Sequence, residues 1–213
     1  MKKLWALLFG WNVVLLLGAA FVWIWLRERY ERGGPIPYSQ AGDLRSPLRP
    51  LIHPVRRTLE RSHVEPGATV LELGPGTGYF SVEASRIIGP GGHLLCLDIQ
   101  PPMLAELAGH LRDAGVTNAG LLLGDATRLP LADDSVASAY LVAVLGEIPD
   151  RPQALAELRR VLRSGGVLSI TETLTDPDYQ FEDTVRDVCR ATGFEPLEHI
   201  RGLLGYTMNF ASP

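Results

Sequence analysis

Cysteine is scarce in this chain of 213 residues: only Cys96 and Cys189 are present. Two thiols so far apart make no metal spacing and no redox pair; they suit packing positions in a reducing compartment, with a long-range disulfide left open at this level. Lysine is scarcer still in the body of the chain, since Lys2 and Lys3 are its only lysines, and no tryptophan comes after Trp25. Basic excess is absent as well. A formal net charge of −4 speaks against a nucleic-acid enzyme, because phosphate contacts come from a basic face. No metal-ligand cluster is evident, and no insertion is long enough to build a separate lid domain. After the amino-terminal region, about 155 residues remain, the size of one domain with an adequate core.

What the amino end does contain is a long apolar run. Residues 4–26 hold no charged residue and one strongly polar one, Asn12. As a helix at ~1.5 Å per residue the run reaches about 34 Å, enough for a hydrocarbon core of ~30 Å. Trp5 lies near one end and Trp23 and Trp25 near the other, as interfacial aromatic belts require. A cleavable leader ending near Ala20 is the competing reading, but the apolar run continues to Leu26 and exceeds a leader's usual core. The expectation is therefore a short flank (1–3), a single-pass transmembrane helix (4–26), a linker (27–55) and a domain (56–213). Arg27, Arg29, Arg32 and Arg45 come after the span, so the positive-inside rule weakly places the domain in the cytoplasm.

The linker opens with Gly33-Gly-Pro-Ile-Pro37, which stops a helix, and Pro47, Pro50 and Pro54 keep the next stretch from forming one long helix. Five arginines between Arg45 and Arg61 alternate with apolar residues. Three readings stand together: a basic face resting on anionic headgroups, a solvated face of the domain's first helix, or a segment, Tyr38 to His53, folded over the active site.

Beyond the linker, short and nearly continuous apolar runs at 69–73, 93–98, 119–123, 136–144 and 166–171 read as strands covered on both faces. Helical patterns lie at Tyr79–Ile88, Met103–Ala114, Pro152–Leu162 and Asp178–Thr192, and a closing hairpin is expected from Glu195–Ile200 and Tyr206–Phe210. Such alternation predicts an α/β, doubly wound, mainly parallel sheet with ligands at the strands' carboxyl ends.

Val70-Leu-Glu-Leu-Gly-Pro-Gly-Thr-Gly-Tyr-Phe-Ser81 is a buried strand running into a glycine loop and a helix, and Asp98 closes the next apolar run. Glycines let the backbone approach a ligand, and a strand-end acid can accept both ribose hydroxyls. The spacing Gly74-x-Gly76-x-Gly78 differs from the dinucleotide fingerprint, which disfavours a nicotinamide-dependent oxidoreductase. With Glu72 ahead of it, the loop resembles motif I of the class I S-adenosylmethionine-dependent methyltransferases. Asp98-Ile-Gln-Pro-Pro-Met-Leu resembles the family's post-II segment and Gly124-Asp-Ala126 its motif III. In order and spacing the resemblance runs from about Arg56 to Phe210.

That resemblance implies a Rossmann-like seven-stranded sheet and S-adenosyl-L-methionine as cofactor, held by Glu72, Gly74, Gly76, Gly78, Asp98, Ile99, Asp125 and Ala126. The family's Asn/Asp-Pro-Pro-aromatic motif is missing, and Leu145-Gly-Glu-Ile-Pro-Asp150 stands in its place; DNA adenine and protein glutamine methylation are thereby disfavoured. Glu147, after the fourth strand, is the first candidate general base, against a role as cap of the next helix. His53 and Tyr38 come next if the linker folds over, and Glu172 and Asp176 are candidates to shape the acceptor site. The implied partner is a small-molecule or lipid acceptor, as in the similar ubiquinone and menaquinone methyltransferases. A membrane-bound thiol methyltransferase and a non-catalytic cofactor-binding assembly protein are the alternatives.

Overall fold

The computed structural model describes residues 34–40, 50 and 53–213. The transmembrane expectation for residues 4–26 lies outside the described residues, among which no helix is long and apolar enough to cross a membrane. A seven-stranded sheet of order β3-β2-β1-β4-β5-β7-β6 organises the domain. Its strands are β1 (Thr69–Leu73), β2 (His93–Asp98), β3 (Ala119–Leu123), β4 (Val136–Val142), β5 (Leu162–Thr173), β6 (Glu195–Arg201) and β7 (Gly205–Ala211). The first five run parallel, and β7 is antiparallel to both β5 and β6. Chain order departs from sheet order between β1 and β4, the switch point at which doubly wound sheets open a ligand crevice.

Alternation along each strand divides the core. Val70, Leu94, Cys96 and Tyr140 face one layer with α1 (Val55–Arg61), α2 (Ser81–Ile88) and α3 (Pro101–Asp113). Leu71, Leu97, Ala139 and Leu141 face the other, where α4 (Arg151–Val161) and α5 (Glu182–Ala191) pack through Leu155, Leu158, Val185 and Cys189. Both cysteines are buried free thiols.

Several boundaries move from their expected places, each for a reason in the backbone. Helix α2 starts at Ser81 rather than Tyr79, because Gly78 takes φ 92° and its amide closes a turn on the Pro75 carbonyl. Strand β4 stops at Val142, since Ala143 adopts φ 56°. Strand β5, expected to start at residue 166, starts at Leu162 and takes in Ser164-Gly-Gly166. Paired hydrogen bonds link Gly165 and Gly166 to Ser212, both 2.8 Å, and the register against β4 slips between Val136 and Ser138 to accommodate them. Helix α5 begins at Glu182, four residues late; the Asp178 amide donates instead to the Asp176 carboxylate at 2.7 Å.

Candidate active site

Most of the residues singled out in the sequence for chemistry lie along the carboxyl edge of β1 to β5. The loop after β1 turns through three left-handed glycines, with φ of 69° at Gly74, 55° at Gly76 and 92° at Gly78. Two of them are also crowded: a Cβ on Gly74 would displace the Val144 side chain, and one on Gly78 the end of Leu107. The loop is tied to β2 by the Gly74 amide on the Leu97 carbonyl, 2.9 Å. It is tied again by the Gly76 amide, which donates to Asp98 Oδ2 at 3.2 Å. Asp98 Oδ1 accepts from the Gln100 amide at 2.9 Å. Asp98 is 7% exposed, and burial, partly offset by these amides, raises its pKa. The next residue, Ile99, leaves an apolar side chain 48% exposed. A side-chain-free cradle, a strand-end carboxylate and an exposed apolar shelf beside it fit a nucleoside.

Glu72 sits lower than a ligand contact would need. It is 2% exposed and accepts from Ser81 Oγ at 2.6 Å and Cys96 Sγ at 3.6 Å. Here it braces the start of α2 against β1 and β2, so in this geometry it positions the loop. Asp125 is exposed, and its Oδ1 accepts from the Thr127 amide and hydroxyl, both 2.8 Å; Ala126 lies in that turn, which the Gly124 amide ties to the Asp98 carbonyl at 3.1 Å.

Glu147 ends a 3-10 turn, Leu145–Glu147, just past β4. The helix-cap alternative fails, because the Asp150 side chain caps α4 by accepting from the Gln153 amide at 3.1 Å. Glu147 Oε2 instead accepts from the Ile36 amide at 3.0 Å, across 111 residues of chain. Burial first, then the Asp176, Asp178 and Asp98 carboxylates, push its pKa up to about 8, against the Ile36 hydrogen bond. Arg151 holds the turn in place through the Leu145 and Gly146 carbonyls, at 3.1 and 3.2 Å. Gly146 must be glycine, since a Cβ there would run into the backbone of Asp178.

Linker residues 36–38 and 53 reach the site, whereas 41–49, 51 and 52, most of the segment Tyr38 to His53 expected to cover it, lie outside the described residues. Besides the Ile36 amide on Glu147, the Ile36 carbonyl accepts from Gln100 Nε2 at 2.9 Å and the Tyr38 hydroxyl donates to Glu106 at 3.0 Å. Residues 36–38 thus strap the first turns of α3 to the end of β4. His53 is 9% exposed, edge-on to Phe80 with centroids 6.1 Å apart, and its Nε2 lies 3.5 Å from Thr173 Oγ1 at the end of β5. Glu172 is 1% exposed with Oε1 unpartnered; burial pushes its pKa up to about 8. It lies under the segment after β5, where the Gln180 amide donates to its other oxygen at 3.3 Å. His199, on β6, pairs with Glu182 at 3.3 Å and has no part here. Among the described residues, no group of three or more histidine, cysteine or acidic side chains is arranged to hold a metal ion. Ile36, Gln100 and Arg151 were not singled out from the sequence, because Ile36 acts through its own backbone and the other two side chains reach backbone carbonyls, which carry no motif.

Comparison with known proteins agrees with this geometry. The family described as a methyltransferase domain matches residues 71–170. Over 118 residues the chain is 36% identical to the ubiquinone/menaquinone biosynthesis C-methyltransferase UbiE of Hahella chejuensis, covering 55% of this chain and 47% of that one. Over 128 residues it is 30% identical to an arsenite methyltransferase of Halobacterium salinarum, covering 60% and 32%. The chain spans about half the length, or less, of these curated relatives. Among solved structures, an S-adenosylmethionine-dependent methyltransferase from Aquifex aeolicus superposes with a TM-score of 0.80 at 20% identity, over 84% of this chain and 100% of that one. A putative sarcosine dimethylglycine methyltransferase from Galdieria sulphuraria gives 0.62 at 16% identity, over 74% and 83%. With the glycine cradle, Asp98 and the switch-point crevice in one place, the segment 71–170 matches a methyltransferase domain and shares the fold of S-adenosylmethionine-dependent methyltransferases, which supports S-adenosylmethionine as its cofactor.

Proposed function

We propose that this protein transfers a methyl group to a small membrane-associated acceptor, a quinol, an isoprenoid or a phospholipid headgroup, at the cytoplasmic face of a membrane. The observation that carries the reading is Glu147: a carboxyl held at the end of β4, beside the crevice, with its proton affinity raised into the physiological range. S-adenosylmethionine, when bound, supplies an electrophilic methyl group on a sulfonium. An acceptor hydroxyl, activated carbon or amine must shed a proton as its new bond forms, and Glu147 is placed to take it. The strap at Ile36–Tyr38 and His53 with Phe80 border the same edge and hold the acceptor in line there; positioning of this kind supplies ~7–11 kcal/mol of barrier reduction. The apolar run at 4–26 supports the membrane part, since a tether raises the effective concentration of a lipid-phase acceptor.

The reading is tested by incubating the full chain with S-adenosylmethionine carrying a labelled methyl group and a membrane lipid extract. Label should appear in an organic-phase species one methyl group heavier than its precursor. Label confined to water-soluble thiols would replace the lipid acceptor with a thiol, and no transfer with intact cofactor binding would favour an assembly protein.

Cofactor placement is tested separately. Asp98→Ala is expected to weaken S-adenosylmethionine binding about tenfold or more by calorimetry, since a hydrogen bond to a charged group is worth ~1.5–3 kcal/mol and ~1.4 kcal/mol is a factor of ten. An unchanged Kd would remove Asp98 from the ribose site.

A further inference from the structure

Four large apolar side chains stand out in solvent at one corner of the domain: Leu203 is 94% exposed, Phe181 71%, Leu174 60% and Leu204 40%. They are neighbours. The Leu174 amide donates to the Leu204 carbonyl at 2.8 Å, Thr173 pairs with Gly205 across β5 and β7, and the Tyr179 ring bridges Phe181 and Tyr206 at 5.4 and 5.9 Å. The turn Arg201-Gly-Leu-Leu-Gly205 places leucines where a solvated turn takes asparagine, aspartate or serine. An ion pair of Arg201 with Glu182 at 2.7 Å edges the patch, and apolar patches rimmed by polar residues mark interaction sites. Because β5 ends at Thr173 and β7 starts at Gly205, the patch occupies the carboxyl edge of the sheet, next to the Glu147 end of β4.

We propose that Leu174, Phe181, Leu203 and Leu204 form a bilayer-docking surface that sets the mouth of the acceptor site against the membrane. A bilayer, and not a second copy, is the occupant favoured by chain connectivity. Ile36 lies ten positions past Leu26, the last residue of the apolar run, and is pinned to Glu147 at this same edge; at ~3.3–3.6 Å per residue that stretch reaches at most about 35 Å. Connectivity rests on reading residues 4–26 as an anchor, whereas the exposure of the patch does not.

The test uses the full chain in vesicles of phosphatidylcholine and phosphatidylglycerol. An environment-sensitive dye is attached at Leu203→Cys, or, as control, at Ser164→Cys, an exposed position at the other end of β5; both native thiols are buried and spared. Brominated acyl chains should quench the dye at position 203 severalfold more than the dye at 164. Equal quenching at the two positions overturns the proposal, as does unquenched 203 dye with chain-to-chain cross-linking through that position, which assigns the surface to a second copy. Alkaline carbonate washing reports on the anchor alone. A chain retained by the washed vesicles but unquenched at 203 refutes the docking surface and leaves the anchor, and a chain quenched before the wash but released by it does the reverse.

Discussion

Glu147→Gln is expected to lower turnover about a hundredfold, within the ~10²–10⁴ typical of a positioned proton acceptor, while S-adenosylmethionine affinity changes little. Glutamine keeps the shape of the side chain and an oxygen for the Ile36 amide, so the strap stays docked and only the proton-accepting capacity is lost. The pH profile gives the sharper reading. With its pKa raised to about 8 by burial and three neighbouring carboxylates, Glu147 is mainly protonated at pH 7 and cannot accept a proton. Activity of the native chain should therefore rise as pH increases through about 8 and level off above it. In the variant that rise should vanish together with the turnover. Equal activity of the two proteins, or a variant that keeps the same pH profile, would leave Glu147 a structural carboxyl that anchors Ile36.

Gly76→Val is expected to abolish measurable cofactor binding while the sheet remains folded. Gly76 takes φ 55°, where an L-residue pays ~1–2 kcal/mol and a β-branched one is an outlier. The strained residue also owns the amide that meets Asp98, so relief of strain pulls the cradle away from its acid. Gly89→Ala is the matching control: Gly89 has φ 69° with nothing within 4 Å of an added Cβ, at the end of α2 away from the loop. That variant should lose some thermal stability and bind S-adenosylmethionine as the native chain does. Binding that survives in Gly76→Val, measured by calorimetry with circular dichroism confirming the fold, would mean that the loop does not line the pocket.

The parts of this molecule legible in the sequence are those that each short segment determines by itself. Short apolar runs placed β1 to β4 within two residues of their observed ends, because strands covered on both faces have no polar side to display. The glycine loop was legible since a left-handed turn beside a close neighbour admits almost nothing else. The acid at the end of β2 was legible from its distance to that loop in a β-α-β unit. Asp150 as the cap of α4, with Pro152 just inside, is a local signal of the same kind, and reading Glu147 as a cap overlooked it.

What depends on residues far apart in the chain had no such signal. Glu147 became a raised-pKa carboxyl only when folding buried it and brought Asp176, Asp178 and Asp98 around it; nothing in Leu-Gly-Glu-Ile carries that environment. His53 was drawn against Phe80 and Thr173 by packing, and Glu72 was drawn beneath the loop by Ser81 and Cys96. Gly165 and Gly166 joined β5 because Ser212 supplied partners for their backbone groups. Pairing, desolvation and charge are properties of a neighbourhood, and the neighbourhood exists only after the sheet has brought its strand ends together. The sequence by itself determined where the glycine loop and its strand-end acid lie, through backbone shapes that few residues tolerate; the tertiary structure alone decided the burial and charge around Glu147 and which apolar residues remain uncovered beside it.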